Sequence, residues 1–219
     1  MDSIYYPNTT YWVIAVAVIT AIATIFLYRQ ARSSLRAQWT VGISFTVMIL
    51  IVHWIFGGQH MIPPTISGGA FYLIILIGAS VGVGLFYVTS NKIFEALSQE
   101  HLQIVQGLRV FVGAGFLMEG VVGVIPAWFS ILDGYFHITS GFLALVAAIA
   151  FIKKHRSART LLWSANIIGL LDIFTIITSI CFLVWEDLGP FHNMNYVVFI
   201  AGPVLLWLHF VSIRKLLRS

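Results

Sequence analysis

Residues 11–36 read YWVIAVAVITAIATIFLYRQARSSLR. No side chain from Tyr11 to Tyr28 is charged, and the run approaches the roughly 20 apolar residues that cross a hydrocarbon core. Arg29, Arg32 and Arg36 follow at once. Lys and Arg beside a span are held on the cytoplasmic side, so the stretch reads as a first transmembrane helix with its N-terminus outside. A cleavable signal peptide has the reverse order, with basic residues ahead of the apolar run. The span is therefore expected to be retained.

Working outward, six more apolar runs follow, from Trp39 to Phe56, Phe71 to Thr89, Ile104 to Ile125, Gly134 to Ile152, Leu161 to Trp185 and Tyr196 to Ile213. Gly57-Gly58 stops the second and Pro126 the fourth. The expected fold is all-α: one polytopic domain of seven transmembrane helices, N-terminus out and C-terminus in. The other cations agree. Lys92 follows the third run, Lys153, Lys154, Arg156 and Arg159 follow the fifth, and Arg214, Lys215 and Arg218 follow the seventh. Seven crossings put all of these on one side. The twelfth cation, Arg109, lies within or at the lip of the fourth run.

Composition points to the same solvent. The 219 residues are 59% hydrophobic and 9% charged, with a mean hydropathy of +0.95. A soluble domain carries about 25% charged residues, so lipid is the expected partner and a membrane the expected location. The net charge of +4 sits where topology places it and not among exposed aromatics, which argues against nucleic acid. Cys181 is the one cysteine, so no internal disulfide is expected.

Set against itself at an offset of 124, the chain places Tyr11 on Tyr135, Arg29 on Lys153, Arg32 on Arg156 and Trp39 on Trp163. This reads as a 3+1+3 parallel repeat with the fourth span as connector. The competing reading is chance matching of apolar helices that flank two basic loops. Parallel repeats occur in small carriers.

Charged residues inside a span cost about 2.5–3.5 kcal/mol at mid-helix on insertion scales, so they mark where function is sought. Asp172 lies about ten residues, or roughly 15 Å, into the sixth span. Arg109, Asn166 and His209 approach the same depth from the same side. The four are candidates for one substrate or proton site, against a structural Arg109–Asp172 pair with Arg109 snorkelling. A second group, His53, Glu119, Asp133 and His137, lies toward the other side. Asp133 and His137 are four residues apart and share a helix face. Two carboxylates and two imidazoles suit a divalent metal, and His53 with His137 suits bis-histidine haem ligation, while His60 and His192 are assigned to outer loops. Neither His-Glu-x-x-His nor Cys-x-x-Cys-His is present, and no cofactor is required by the sequence. Gly78-x-x-x-Gly82 is a close-packing signal, and Pro203 after Gly202 is expected to kink the seventh span.

Gln106-x-x-Arg109, Gly123-x-Ile125-Pro126, Trp163-x-x-Asn166-x-x-Gly169-x-x-Asp172, and Pro203 with His209 form a pattern. It resembles that of an uncharacterised family of bacterial multi-span membrane proteins, over Gln106 to Leu216. The chain departs from it at Ala127–Asp133, where the family tends to be glycine-rich. The resemblance implies topology and site location, with no activity attached.

Three functions compete. The leading one is a small-molecule or proton-linked carrier, with Asp172 as proton carrier, Arg109 as countercharge or anion clamp and His209 as gate. The second is a haem- or metal-binding redox protein. The third is a sensor, a homo-oligomer or a subunit that binds a membrane partner. A retinal pump is excluded, because its Schiff base needs a lysine deep in the seventh span. An enzyme is not expected, since no nucleophile–base pair or phosphate loop is present.

The orientation is checked by single cysteines in a Cys181→Ser background. In intact cells a membrane-impermeant maleimide should label Asn8→Cys and leave Ser157→Cys unlabelled until the membrane is opened. The reverse pattern refutes the assignment.

Overall fold

A computed structural model describes residues 7–54, 67–188 and 196–218. Among them the regular structure is helical, with no strand, and seven helices are long and apolar enough to cross a membrane. The protein is a multi-pass membrane helical bundle. His60, His192 and the Gly57-Gly58 stop of the second span lie outside the described residues.

The first three spans are unbroken helices: α1 (Pro7–Gln30), α2 (Leu35–Val52) and α3 (Gly68–Ala96). Local chemistry sets two of their starts. Ser34 and Ser67 are extended N-caps whose hydroxyls accept from the amides of Ala37 and Ala70, each at 3.2 Å, satisfying a free first-turn donor. The buried face of α1 repeats at helical spacing through Val13, Val16, Ala17, Thr20, Thr24 and Leu27. Thr20 and Thr24 are tolerated there because each hydroxyl bonds the carbonyl four residues back, at 2.8 Å. Exposed apolar side chains such as Leu50, Leu73, Ile77, Leu85 and Val88 cover the outside of α2 and α3, a surface for lipid, not for water.

The fourth span departs from the single helix expected over 104–125. It is two helices, α4 (Gln99–Gln106) and α5 (Arg109–Val121), joined through a tightened turn. Leu108 bonds Val105, Val110 bonds Gly107 and Phe111 bonds Leu108, each across three residues at 3.0–3.1 Å. Such 3₁₀ geometry inside a span often marks a hinge.

The fifth span, α6 (Ala127–Ile152), begins directly after Pro126. That is about two turns before the expected start at Gly134. Apolar packing of Phe129 against Phe116 carries the helix back to the proline. Asp133 and His137 thus stand inside a span, 0% and 4% exposed, and not at its start as the expected bounds placed them.

The sixth span is α7 (Ala158–Ser179), a π turn at Ile180–Val184 and a last helical turn, α8 (Trp185–Leu188). The seventh is a π turn at Val197–Ala201 followed by α9 (Gly202–Arg218). Pro203 explains that second π turn. Its ring cannot sit against the carbonyl four residues back, and the opened turn instead lets Gly202 N–H bond Val197 O. The chain therefore answers its proline by opening a π turn ahead of it.

The cation-rich ends are tied together. Arg214 and Arg218 approach Glu95 at 3.0 and 3.2 Å, Lys215 Nζ donates to Glu95 O at 2.6 Å, and Arg159 donates to Leu216 O at 3.2 Å. These bonds explain why α3 runs past Thr89. The basic turns after α1 and α6 are also built alike, with Arg32 and Lys154 both left-handed at φ of 55° and 51°. The shared cap pairs Arg32 with Lys154, two residues away from the sequence register that puts Arg32 on Arg156. Their following helices differ in burial: α2 is largely exposed, whereas α7 buries Asn166 and Asp172. Between α2 and α3 lies a lateral cleft of about 640 Å³.

Gly78 and Gly82 seat the seventh span against α3. A Cβ on Gly82 would lie 2.9 Å from Pro203 Cβ, and one on Gly78 3.1 Å from Phe199 Cε1. A Cβ on Gly84 would meet nothing within 4 Å. Gly82→Ala should therefore cost about 1–3 kcal/mol through overpacking and lower the melting temperature in detergent. Gly84→Ala should leave it unchanged or raise it. Equal effects would mean that α3 and α9 do not meet here.

Candidate functional site

Arg109 is the first residue of α5, just past the break in the fourth span. The break matters for its position. An uninterrupted helix would turn Arg109 roughly 80° away from the face of Gln99, Gln103 and Gln106, whereas a three-residue turn brings it back in line with Gln106. The guanidinium points inward and is 1% exposed, so it does not snorkel.

Its neighbours come from three other helices. Nη1 donates to Gly169 O of α7 at 2.8 Å and to His209 Nε2 of α9 at 2.9 Å. Nε lies 3.4 Å from Asp172 Oδ2. The same oxygen, Oδ2, accepts from His137 Nδ1 at 2.8 Å and from Ser140 Oγ at 2.7 Å, both of α6. Asp172 is 0% exposed. The pair therefore sits in packed protein with no contact to solvent, where Coulomb attraction is strong and desolvation is costly.

The hydrogen-bond pattern assigns protons. Arg has donors only, so His209 Nε2 must accept and His209 Nδ1 must carry the hydrogen. Nδ1 then donates to Asn166 Oδ1 at 3.0 Å. Asn166 Nδ2 donates to Leu162 O at 2.7 Å and Ser212 Oγ at 2.8 Å. Ser212 Oγ also accepts from Gln103 Nε2 at 3.0 Å and donates to Gln99 Oε1 at 2.7 Å. Gln99 Nε2 completes the clasp on Ser212 O at 3.0 Å. The hydroxyl uses its one donor and both acceptor positions. The file thus runs unbroken from Asp172 and Arg109 to Gln99 near the cation-rich end.

Several buried groups near the pair have no hydrogen-bond partner: Arg109 Nε and Nη2, Asp172 Oδ1, and both oxygens of Asp133. Asp133 is one turn from His137 on α6, and its carboxylate is close enough to interact electrostatically with Asp172. A bare carboxylate in such surroundings must hold a proton or take a cation.

Gly169 keeps this centre open. A Cβ there would fall on His209 Cε1 and Nε2 and lie 2.8 Å from Arg109 Nη1. The absence of a side chain also lets Arg109 reach the Gly169 carbonyl.

All four residues expected at one polar site, Arg109, Asn166, Asp172 and His209, are brought together. The second expected group is not. His137 belongs to the Asp172 cluster, with Asp133 one turn away. Glu119 is buried on α5. His53, at the end of α2, bonds Tyr196 Oη at 2.5 Å. Among the described residues no three His, Cys, Asp or Glu side chains converge in a way that could hold a metal ion.

Sequence reasoning missed Ser140, Ser212, Gln99 and Gln103. Their signal was present as spacing. Ser140 and Ser212 each follow a buried histidine by three residues, and Gln99, Gln103 and Gln106 recur at helical spacing on α4. Gln106 Nε2 uses that stripe to donate to Leu205 O at 2.8 Å.

Ser212→Ala takes a hydrogen bond from three buried amide side chains and leaves two of their atoms, Gln103 Nε2 and Gln99 Oε1, without a partner. Each stranded group costs about 1–3 kcal/mol, so the melting temperature should fall by several degrees. Thr46→Ala is the control, because Thr46 is exposed and bonds only its own helix. Matching effects of the two variants would show that the file adds nothing to stability.

No curated protein and no solved structure matches this chain. A family model described as a domain of unknown function, DUF8737, matches residues 88–217. The matched segment contains every member of the hydrogen-bonded file, from Gln99 to Ser212. It spans more than half of the sequence, and the chain belongs to the DUF8737 family.

Proposed function

We propose that the protein is a proton-linked carrier of small molecules whose coupling centre is the Arg109–Asp172 pair. The observation that carries this reading is unmet bonding capacity at a buried charge. Ion pairs that only hold helices together need their remaining lone pairs and protons satisfied. Here Arg109 keeps two nitrogens and Asp172 one oxygen without a hydrogen-bond partner in the protein, on side chains that are 1% and 0% exposed. Capacity held in reserve at such a cost suits a site that exchanges partners.

The backbone around the pair supports movement. The fourth span breaks at Gly107–Leu108, beside Arg109, and the sixth and seventh spans each contain a π turn. Broken helices form the binding sites of many carriers, and π turns recur at functional positions; here one π turn begins eight residues beyond Asp172 and the other ends eight residues before His209. Opening at these three breaks would part α5, α7 and α9 around the pair. In this reading the cation-rich end faces the cytoplasm of a bacterial cell, and His209 lies on the inner side of the pair.

The test is transport by purified protein in liposomes loaded with a pH-sensitive dye, against a panel of sugars, amino acids, carboxylates and inorganic ions. At least one solute should drive proton movement that falls at least tenfold in Asp172→Asn. The charge-balanced double variant Arg109→Gln/Asp172→Asn should be equally inactive while keeping its helical content. Proton movement that survives both substitutions, or that no solute evokes, overturns the proposal.

A further inference from the structure

Resting on that reading, we propose that the solute is a small monocarboxylate, which replaces Asp172 on the Nε–Nη2 edge of Arg109 while Asp172 receives the proton.

The guanidinium presents five N–H groups in a planar fork and stays charged. Nη1 is committed to Gly169 O and His209 Nε2. The Nε and Nη2 groups point along the other edge, and neither has a hydrogen-bond acceptor. That edge is the one that takes a carboxylate through two parallel bonds. Asp172 does not use it in this way. Its Oδ2 is 3.4 Å from Nε, beyond a good hydrogen bond, because His137 and Ser140 hold the same oxygen. Arg109 thus has a countercharge without a chelating ligand.

Charge balance links ligand to proton. Among the described residues, the charged or titratable groups found to interact with Asp172 are Arg109 on α5, Asp133 and His137 on α6, and His209 on α9. If Asp172 takes a proton, Arg109 becomes a buried cation without its anion, which is strongly unfavourable. One monoanion on the free edge restores neutrality. The proton has a place to land, since Asp172 Oδ1 is unpartnered while Oδ2 keeps its two donors. One ion pair breaks and one forms, and the protein gains one proton and one carboxylate with no net charge. A monoatomic anion such as chloride meets the two N–H groups only through converging, bent bonds rather than two parallel ones, and a doubly charged one leaves an excess negative charge.

The experiment uses full-length protein in nanodiscs with acetate as the probe. Calorimetric titration in buffers of differing ionisation enthalpy counts protons. Wild-type protein should take up one proton per acetate bound, and over the pH range in which it does so its apparent affinity should weaken about tenfold per pH unit. Asp172→Asn should bind acetate with no proton uptake and no pH dependence, and Arg109→Gln should not bind it. Asp133→Asn should keep the count at one. The wild-type count needs no variant, so misfolding of Asp172→Asn does not block the test. Acetate binding without proton uptake, a count lost in Asp133→Asn, or binding of chloride as tight as that of acetate would each overturn the assignment. If acetate does not bind at any pH while another solute still drives Asp172-dependent proton movement, the carboxylate assignment falls and the carrier reading stands. If neither occurs, both fall.

Discussion

A charge that cannot be neutralised, buried among apolar helices, is the constraint around which this bundle is arranged. Arg109 is fully enclosed, and arginine does not give up its proton in proteins. Its position is possible because Asp172 supplies an opposite charge at 3.4 Å and because a backbone carbonyl and a histidine take two of its hydrogens. The requirement passes outward from there. His209 must accept, so Asn166 must present its oxygen, so Ser212 must accept from the Asn166 amide and turn its own hydrogen to Gln99. One donor-only side chain thereby orients polar groups on α4, α7 and α9.

The helices give way where that network needs room. Gly107 and Leu108 interrupt the fourth span one residue before Arg109, and Gly169 leaves space where a methyl group would strike His209. The seventh span opens into a π turn before Pro203, then passes over Gly82 of α3, where the lack of a side chain allows the close approach. In lipid, helices gain little by hiding apolar surface from one another, and close packing with buried polar bonds holds them together. The interior follows that rule: small residues set the crossings and a connected polar file fills the space between.

The polar interior is unevenly satisfied, and the unevenness is informative. Toward the cation-rich end Ser212, Asn166 and Gln99 meet their partners, while Gln103 and Gln106 each keep one neutral amide oxygen unmatched. Around Arg109, Asp172 and Asp133, donors and acceptors remain unmatched. A bundle selected only for rigidity gains nothing from this, because each unmatched buried group costs stability. The amide and hydroxyl file fixes the helices, while in the proposed function the unmatched charged groups are where a proton or a ligand finds a partner.

The sequence by itself determined the fold class, the seven crossings and the depth of the four polar residues that meet. Those properties follow from counting: apolar run length against membrane thickness, and 1.5 Å of rise per residue. Depth alone drew Arg109, Asn166, Asp172 and His209 into one group, because residues at equal depth in a narrow bundle have few places to be. What depth does not encode is azimuth, the direction in which each residue faces. Asp133 and His137 were assigned to a second site because the start of the fifth span was placed at Gly134. Only packing against α5 extended that helix back to Pro126 and turned His137 toward Asp172. His53 was paired with His137 by depth, whereas the fold gave it Tyr196. The break beside Arg109 was equally hidden, since Gln106-Gly107-Leu108 is compatible with a continuous helix and the tightened turn shows only in its three-residue hydrogen bonds. Helix phase and rotation come from side chains meeting across the bundle, and those contacts exist only once the tertiary structure has formed.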